Sequence, residues 1–134
     1  MSESGPMVLT EKALALQREV DEVAALIDKQ DIAVEPQFIM QRMVTLTGYL
    51  ARMSTIVADA KALRDLAKSV AAKSFMDSTL RAHTEKALID GEIVAYETLY
   101  EKSSKIHDAL KQTIETLRSQ LSYLREELRS QLNG

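Results

Sequence analysis

The sequence of 134 residues has no cysteine and no tryptophan, and only four glycines and two prolines. Without cysteine, the chain has no disulfide, no thiolate zinc site and no thiol nucleophile. The glycines and prolines are too few for the many turns of a β-sandwich or a β-barrel. No apolar run reaches the roughly 18 residues that a membrane-spanning helix needs, so we expect no association with a membrane.

The beginning of the sequence also lacks a targeting signal. Residues 1–6 are polar and acidic, without the basic segment and apolar run of a secretory signal peptide. We therefore expect a cytoplasmic protein. A content of 46% apolar and 28% charged residues is typical of a folded chain, and the length predicts one domain.

Apolar residues recur at alternating steps of three and four, which is the heptad pattern of helices packed against helices. After a flexible tail at residues 1–8, a first helix is predicted at about 10–30, capped by Thr10. A second is predicted at 36–75, because Pro36 suits the first helical position, where a missing N–H is no loss. A third is predicted at 79–132, after a turn near 75–79 and with a break near residues 90–91. One long helix through both sites is the alternative.

The fold class predicted from this pattern is all-α. Residues 9–134 are expected to form a single helical domain, a long antiparallel helical hairpin or coiled coil with a shorter N-terminal helix. The first helix is long enough to cover only half of the hairpin. The uncovered apolar stripe predicts a helical bundle completed by self-association, most simply as a C2 homodimer.

The heptad positions of the second and third helices are the candidate residues of the core and of the oligomer contact, and we call them the heptad residues. In the second helix they are Leu46, Leu50, Met53 and Val57. In the third helix they are Ile93, Tyr96, Tyr100, His107, Leu110, Ile114, Leu117, Leu121, Leu124 and Leu128. After Ala60 the large apolar residues are Leu63, Leu66 and Val70, and their consecutive steps of three resemble a stammer that overwinds a coiled coil.

A second face of the same helix carries small residues at helical spacing, Ala51, Thr55, Ala58 and Ala62. Small side chains let another backbone approach closely, so this face predicts that the second helix contacts two neighbours. The alternative is that alanine is frequent there only because it favours helix.

Charge is unevenly distributed along the chain. Residues 1–35 hold eight acidic and three basic side chains, whereas residues 36–76 hold two acidic and six basic ones. One explanation is that the acidic first helix lies beside the basic second helix. The other is that a basic stripe, Lys61, Arg64, Lys68 and Lys73, contacts an anion such as a nucleic-acid backbone. The overall acidity of the chain argues against the second explanation.

The sequence shows no catalytic, metal or cofactor site. Two histidines far apart, His83 and His107, do not make a zinc or di-iron ligand set without cysteine or Glu-x-x-His pairs. Ser103, Ser104, His107 and Asp108 are neighbours on one helix, and no Gly-x-Ser-x-Gly elbow is present to expose a serine. We expect a polar notch in a coiled coil, in which His107 fixes register.

Part of the third helix resembles a known group of proteins. The residues that carry the resemblance are 96–101, Leu110, 117–123 and 125–127. They are similar to the C-terminal helix of small helical proteins encoded in early regions of bacteriophages or prophages, often near recombination genes. The resemblance implies a phage accessory protein in the cytoplasm of a bacterial host, and it implies no activity and no residue role.

Two functions follow from these observations as hypotheses. The first is a non-enzymatic scaffold or accessory protein that acts as a homo-oligomer and binds another protein. The alternative is a nucleic-acid-binding accessory protein of phage recombination or replication that uses the basic stripe.

Overall fold

The computed structural model describes the backbone of residues 4–28, 35–77 and 82–133, and the side chains of residues 11–28, 35–73 and 90–133. These residues form three α-helices and no strand: α1 (Ser4–Asp28), α2 (Pro36–Asp77) and α3 (Ala82–Asn133). The predicted all-α class is confirmed.

The first helix begins earlier than its sequence predicts. Because α1 starts at Ser4, the prediction of a tail at residues 1–8 is wrong for residues 4–8, and Thr10 lies inside the helix rather than at its cap. Pro6 falls in the first turn, where a proline removes no helical hydrogen bond, so it does not oppose the early start. The helix ends at Asp28, and residues 29–34 lie outside the described part of the chain.

The second helix begins at Pro36 as predicted and extends to Asp77. The turn expected near 75–79 therefore does not start before residue 78, and residues 78–81 lie outside the described residues. The third helix runs without interruption through Gly91, so the break predicted there is wrong. No described glycine has a positive φ, and a Cβ at Gly91 would meet nothing within 4 Å. A helical glycine at an exposed position costs only about 1 kcal/mol, which tertiary packing of a long helix outweighs.

The two long helices are antiparallel and pack closely along their length. Towards one end, Lys68 of α2 pairs with Glu97 of α3 at 2.9 Å. Towards the other end, Arg125 of α3 reaches Met40 of α2. At 1.5 Å per residue, α2 is about 63 Å long and α3 about 78 Å, so the far end of α3 extends beyond the start of α2.

The shorter α1, about 37 Å long, lies in the groove between the other two and runs antiparallel to α2. Arg42 of α2 donates a hydrogen bond to the carbonyl of Leu26, and further along Arg52 pairs with Glu19. On the opposite side, Asp21 of α1 pairs with Lys102 of α3 at 2.6 Å. The three helices together enclose the core.

The core consists of two clusters of buried side chains. The larger contains Val20, Val23, Ile39, Leu46, Met53, Ile56, Leu110, Ile114, Leu117 and Leu121. The smaller contains Leu63, Ala67 and Tyr96. Residues of all three helices contribute to the larger cluster, so α1 is part of the core and not an appendage to a hairpin.

The stammer predicted in α2 is absent. Beyond Met53 the buried positions are Ile56, Ala60, Leu63, Ala67 and Ala71. Their spacing never shows two consecutive steps of three, whereas Leu66 and Val70 are 50% and 45% exposed. Burial follows the facing angle on the helix rather than side-chain size, and the alanines are buried where they face the neighbouring helices.

Candidate interaction surface

Most of the heptad residues belong to the core of a single copy. The buried ones are Leu46, Met53, Tyr96, Leu110, Ile114, Leu117 and Leu121. The partly buried ones are Leu50, Val57, Ile93, Tyr100, His107 and Leu124. Only Leu128 is exposed, at 49%. Side chains buried inside one copy are not available to a second, so half of this set cannot supply an oligomer contact.

Several core residues are not among the heptad residues. Ile56 and Leu99 are buried, whereas their neighbours Val57 and Tyr100 are only partly buried. Ile56 lies three residues after Met53, and Leu99 lies three residues after Tyr96. The heptad pattern places a step of four there, to Val57 and Tyr100. Apolar residues occupy both positions in each case, which is why spacing alone did not separate them.

A polar notch lies where α2 and α3 meet on one side of the bundle, lined by Ser54, Val57, Ser104, His107 and Asp108 and about 400 Å³ in volume. We call it the His107 notch. The Nε2 atom of His107 is 3.2 Å from Ser54 Oγ, and its Nδ1 atom is 3.4 Å from Asp108 Oδ1. Ser54 was not found from the sequence because it is on the other helix, and its proximity depends on the register of α2 against α3.

The His107 notch brings together a serine, a histidine and an aspartate, as in hydrolase triads. Ser54 Oγ also lies 3.1 Å from the carbonyl of Leu50, which competes with His107 Nε2 for the single hydroxyl proton. The Asp108 side chain is 75% exposed and is a weak anchor for the imidazole. Around Ser54, backbone N–H groups are engaged within α2, so none is free to stabilise an oxyanion.

Two of the four cations of the basic stripe, Arg64 and Lys68, have partners within the same copy. The Arg64 guanidinium donates to Asp65 Oδ1 at 3.0 and 3.2 Å and lies 4.6 Å from the centre of the Tyr100 ring. Lys68 pairs with Glu97, and this pairing holds the pKa of the Glu97 carboxyl below its ordinary value.

The other two cations of the basic stripe, Lys61 and Lys73, are exposed and have no ion pair among the described residues. The described residues of the basic stripe therefore do not form a continuous surface of unpaired cations.

The acidic side chains of α1 pair with basic residues outside the basic stripe. Glu19 pairs with Arg52 of α2, and Asp21 pairs with Lys102 of α3. The hydrogen bond from Lys102 lowers the pKa of Asp21, and Gln17 donates a further hydrogen bond at 3.0 Å. The basic stripe does not pair with α1 in the described part of the chain, whereas Arg52 pairs with Glu19 and Arg42 donates to the carbonyl of Leu26. Such exposed pairs contribute little stability each but favour one register.

No metal-binding cluster and no membrane span is found among the described residues. No group of three or more His, Cys, Asp or Glu side chains there is placed to hold a metal ion. No described helix is both long and apolar enough to cross a membrane. The side chain of His83 lies outside the described set.

Large apolar side chains remain exposed on the outside of the bundle. They are Leu14, Phe38, Met40, Val44, Leu66, Val70, Val94, Tyr123, Leu128 and Leu132. Val44 and Leu132 are the most exposed of them, at 73% and 85%. An apolar groove of about 480 Å³ runs between α1 and α3, and Leu14, Gly91 and Tyr96 are among its lining residues. A second groove, of about 440 Å³, runs between α1 and α2.

The face of small residues on α2 is turned to solvent. The helix contacts two neighbours, α1 and α3. Ala51, Thr55, Ala58 and Ala62 are all exposed, and Thr55 and Ala62 border the groove to α1. No described side chain covers this face.

Comparisons of the chain with protein-family models, with curated proteins and with solved structures found no match.

Proposed function

We propose that the protein is a non-enzymatic helical scaffold that acts as a homo-oligomer and binds another protein. The observation that carries the proposal is the set of large apolar side chains that the three-helix bundle leaves in water. Scattered exposed apolar residues are ordinary, but apolar residues that follow one another along a helix face mark an interaction surface. Met40 and Val44 are one turn apart on α2, as are Leu128 and Leu132 on α3.

The chemistry of the polar groups supports a role without catalysis. The His107 notch is the most hydrolase-like arrangement in the described residues, and the Leu50 carbonyl competes with His107 for the proton of its serine. Its geometry serves instead to align α2 with α3. The groove between α1 and α3 has an apolar lining and suits an apolar segment of a partner protein.

Light scattering of the purified chain tests the proposal. A mass of twice 15.0 kDa or more at micromolar concentration supports self-association. A mass of 15.0 kDa throughout that range contradicts it.

Nucleic-acid binding is the second candidate, and the exposure of Lys61 and Lys73 is the observation that favours it. The resemblance of α3 to phage early-region proteins supports the same context. A labelled single-stranded oligonucleotide, added at low salt and then at rising salt, tests it. Binding that weakens steeply with salt supports this function, and no binding at low salt removes it.

A further inference from the structure

One exposed stripe of α2 has no charged residue at successive helical steps. It adjoins the groove to α1 at Thr55, Ala62 and Leu66, and Arg125 of α3 at Met40. We call it the outer α2 face. Its residues follow one another at steps of three or four and are all exposed: Met40, Val44, Gly48, Ala51, Thr55, Ala58, Ala62, Leu66 and Val70. Solvent-facing positions of a helix ordinarily carry charged and long polar side chains, so an uncharged stripe of this length is typical of a face that packs against another protein surface.

The outer α2 face is symmetric about Thr55. Val44 and Leu66 lie 11 residues before and after it, and Gly48 and Ala62 lie seven residues before and after it. In a two-fold dimer, residue i contacts residue j of the other copy, and residue j contacts residue i in return. Two antiparallel α2 helices crossing at Thr55 therefore bring large side chain against large and small against small.

The charges that border the outer α2 face obey the same symmetry. Arg52 and Asp59 lie on one edge of it, next to the groove between α1 and α2. Arg52 is three residues before Thr55 and Asp59 is four residues after it. An antiparallel copy thus places its own Asp59 within one residue of the level of Arg52, on the same edge. The Arg52 side chain is 60% exposed although it pairs with Glu19, so it remains accessible to a second carboxylate. Two such pairs form, one on each side of the two-fold axis.

The middle of the outer α2 face permits a close approach. Gly48, Ala51, Ala58 and Ala62 have no side chain beyond Cβ, and a Cβ built at Gly48 would meet nothing within 4 Å. Helices that meet through small side chains approach to an interaxial distance of about 8–10 Å. The face from Met40 to Val70 is about 45 Å long and about 10 Å wide, so two copies bury on the order of 1,000 Å² in total. This area lies at the lower end of specific interfaces, and we expect a reversible dimer in the micromolar range.

We propose that the outer α2 face is the surface on which two copies of the chain meet, with their α2 helices antiparallel and the two-fold axis at Thr55. The inference rests on the self-association proposed above and names its surface. It assigns the contact between copies to α2, and not to the heptad residues of α3, half of which the monomer already buries.

Disulfide trapping tests the axis directly, because the chain has no cysteine of its own. Under mild oxidation Thr55→Cys is expected to form a covalent dimer on a non-reducing gel, since two copies of this position face each other within disulfide reach. Lys61→Cys, at an exposed position of α2 away from the face, is the matched control and stays monomeric on the gel.

A pair of variants tests the register. Val44→Cys alone forms no dimer, because the two copies of residue 44 are about 33 Å apart in this arrangement. Val44→Cys combined with Leu66→Cys forms one. If Thr55→Cys and the double variant cross-link no faster than Lys61→Cys while the wild type has a dimer mass, the surface is wrong and self-association stands. If the wild type has a monomer mass, the proposed function itself fails.

A charge placed on the face provides an independent readout. Ala51→Glu sets a carboxylate beside Asp59 of the second copy and is expected to raise the dimer Kd at least tenfold. Ala25→Glu makes the same change at an exposed position of α1 and leaves the dimer Kd unchanged. Equal dimer affinity of the two variants, with unchanged helicity by circular dichroism, overturns the proposal.

Discussion

The imidazole Nε2 of His107 lies 3.2 Å from the hydroxyl oxygen of Ser54, a residue 53 positions earlier in the chain. This contact joins α2 to α3 at the one heptad position of α3 that holds a histidine. The Leu50 carbonyl lies 3.1 Å from the same hydroxyl and competes for its proton, and the contact links the two helices in one register. A polar group at a heptad position favours one register of packing at some cost in stability.

Replacement of His107 by leucine tests the structural role of this contact. Because His107 is partly buried beside Val57, His107→Leu is expected to raise the free energy of unfolding by about 1 kcal/mol through added apolar burial. Urea denaturation measures the change, and Ser54→Ala is the control for loss of the hydrogen bond alone. A drop of more than about 1 kcal/mol for His107→Leu would show that the imidazole stabilises the bundle more than apolar packing does.

Two leucines one turn apart on α2 test the register of the core. Leu63 is 7% exposed and Leu66 is 50% exposed. Leu63→Ala is expected to lower the free energy of unfolding by about 2–5 kcal/mol, and Leu66→Ala by less than about 1 kcal/mol in dilute protein. Similar losses for the two variants would contradict the register of α2, and a larger loss for Leu66→Ala would reinstate the stammer.

The continuity of α3 predicts the effect of a helix-forming residue at Gly91. The glycine is helical and a Cβ there meets nothing within 4 Å, so Gly91→Ala is expected to raise the free energy of unfolding by about 0.5–1 kcal/mol. Thermal denaturation followed by circular dichroism measures the shift. A destabilised Gly91→Ala protein would mean that the chain departs from helical geometry at this residue.

The ion pair of Lys68 with Glu97 predicts a dependence of stability on pH. The hydrogen bond from Lys68 lowers the pKa of Glu97 in the folded chain, so the unfolded chain binds its proton more tightly. The contribution of this pair to stability is therefore present above the pKa of the unfolded carboxyl and is lost as the pH falls through the lower pKa of the folded one. Nuclear magnetic resonance titration of the Glu97 carboxyl in wild type and Lys68→Met measures it. The variant is expected to titrate at higher pH, and an identical midpoint would disprove the pairing in solution.

The engagement of Arg64 and Lys68 within the bundle predicts weak interaction with nucleic acid. Only Lys61 and Lys73 of the basic stripe lack an ion pair among the described residues, and two phosphate contacts give little affinity at physiological salt. Wild type and a Lys61→Glu/Lys73→Glu variant are expected to show the same negligible retention of single-stranded DNA in a filter-binding assay. Strong retention by the wild type that the variant loses would favour the nucleic-acid function.

The amino-acid sequence is sufficient to predict three helices, the start of α2 at Pro36 and much of the α3 core, because the heptad spacing there is regular. It is not sufficient to separate Ile56 from Val57 or Leu63 from Leu66, because apolar residues occupy both positions and only the facing angle decides which is buried. Ser54 and His107 are 53 positions apart in the chain. Their proximity therefore depends on the register of α2 against α3, which no local pattern specifies.

The spacing of the small residues of α2 identifies them as one face of the helix. It does not specify what that face contacts. Ala51 and Ala62 are as compatible with a buried contact inside one copy as with a face turned to solvent. The structure leaves both residues exposed, with Ala62 at the groove between α1 and α2. Their assignment to a second copy comes from the symmetry of the face about Thr55.

Sedimentation equilibrium of the wild-type chain over a dilution series is the direct test of self-association. We expect a reversible transition from 15.0 kDa to twice that mass in the micromolar range. A single species of 15.0 kDa at every concentration would contradict it.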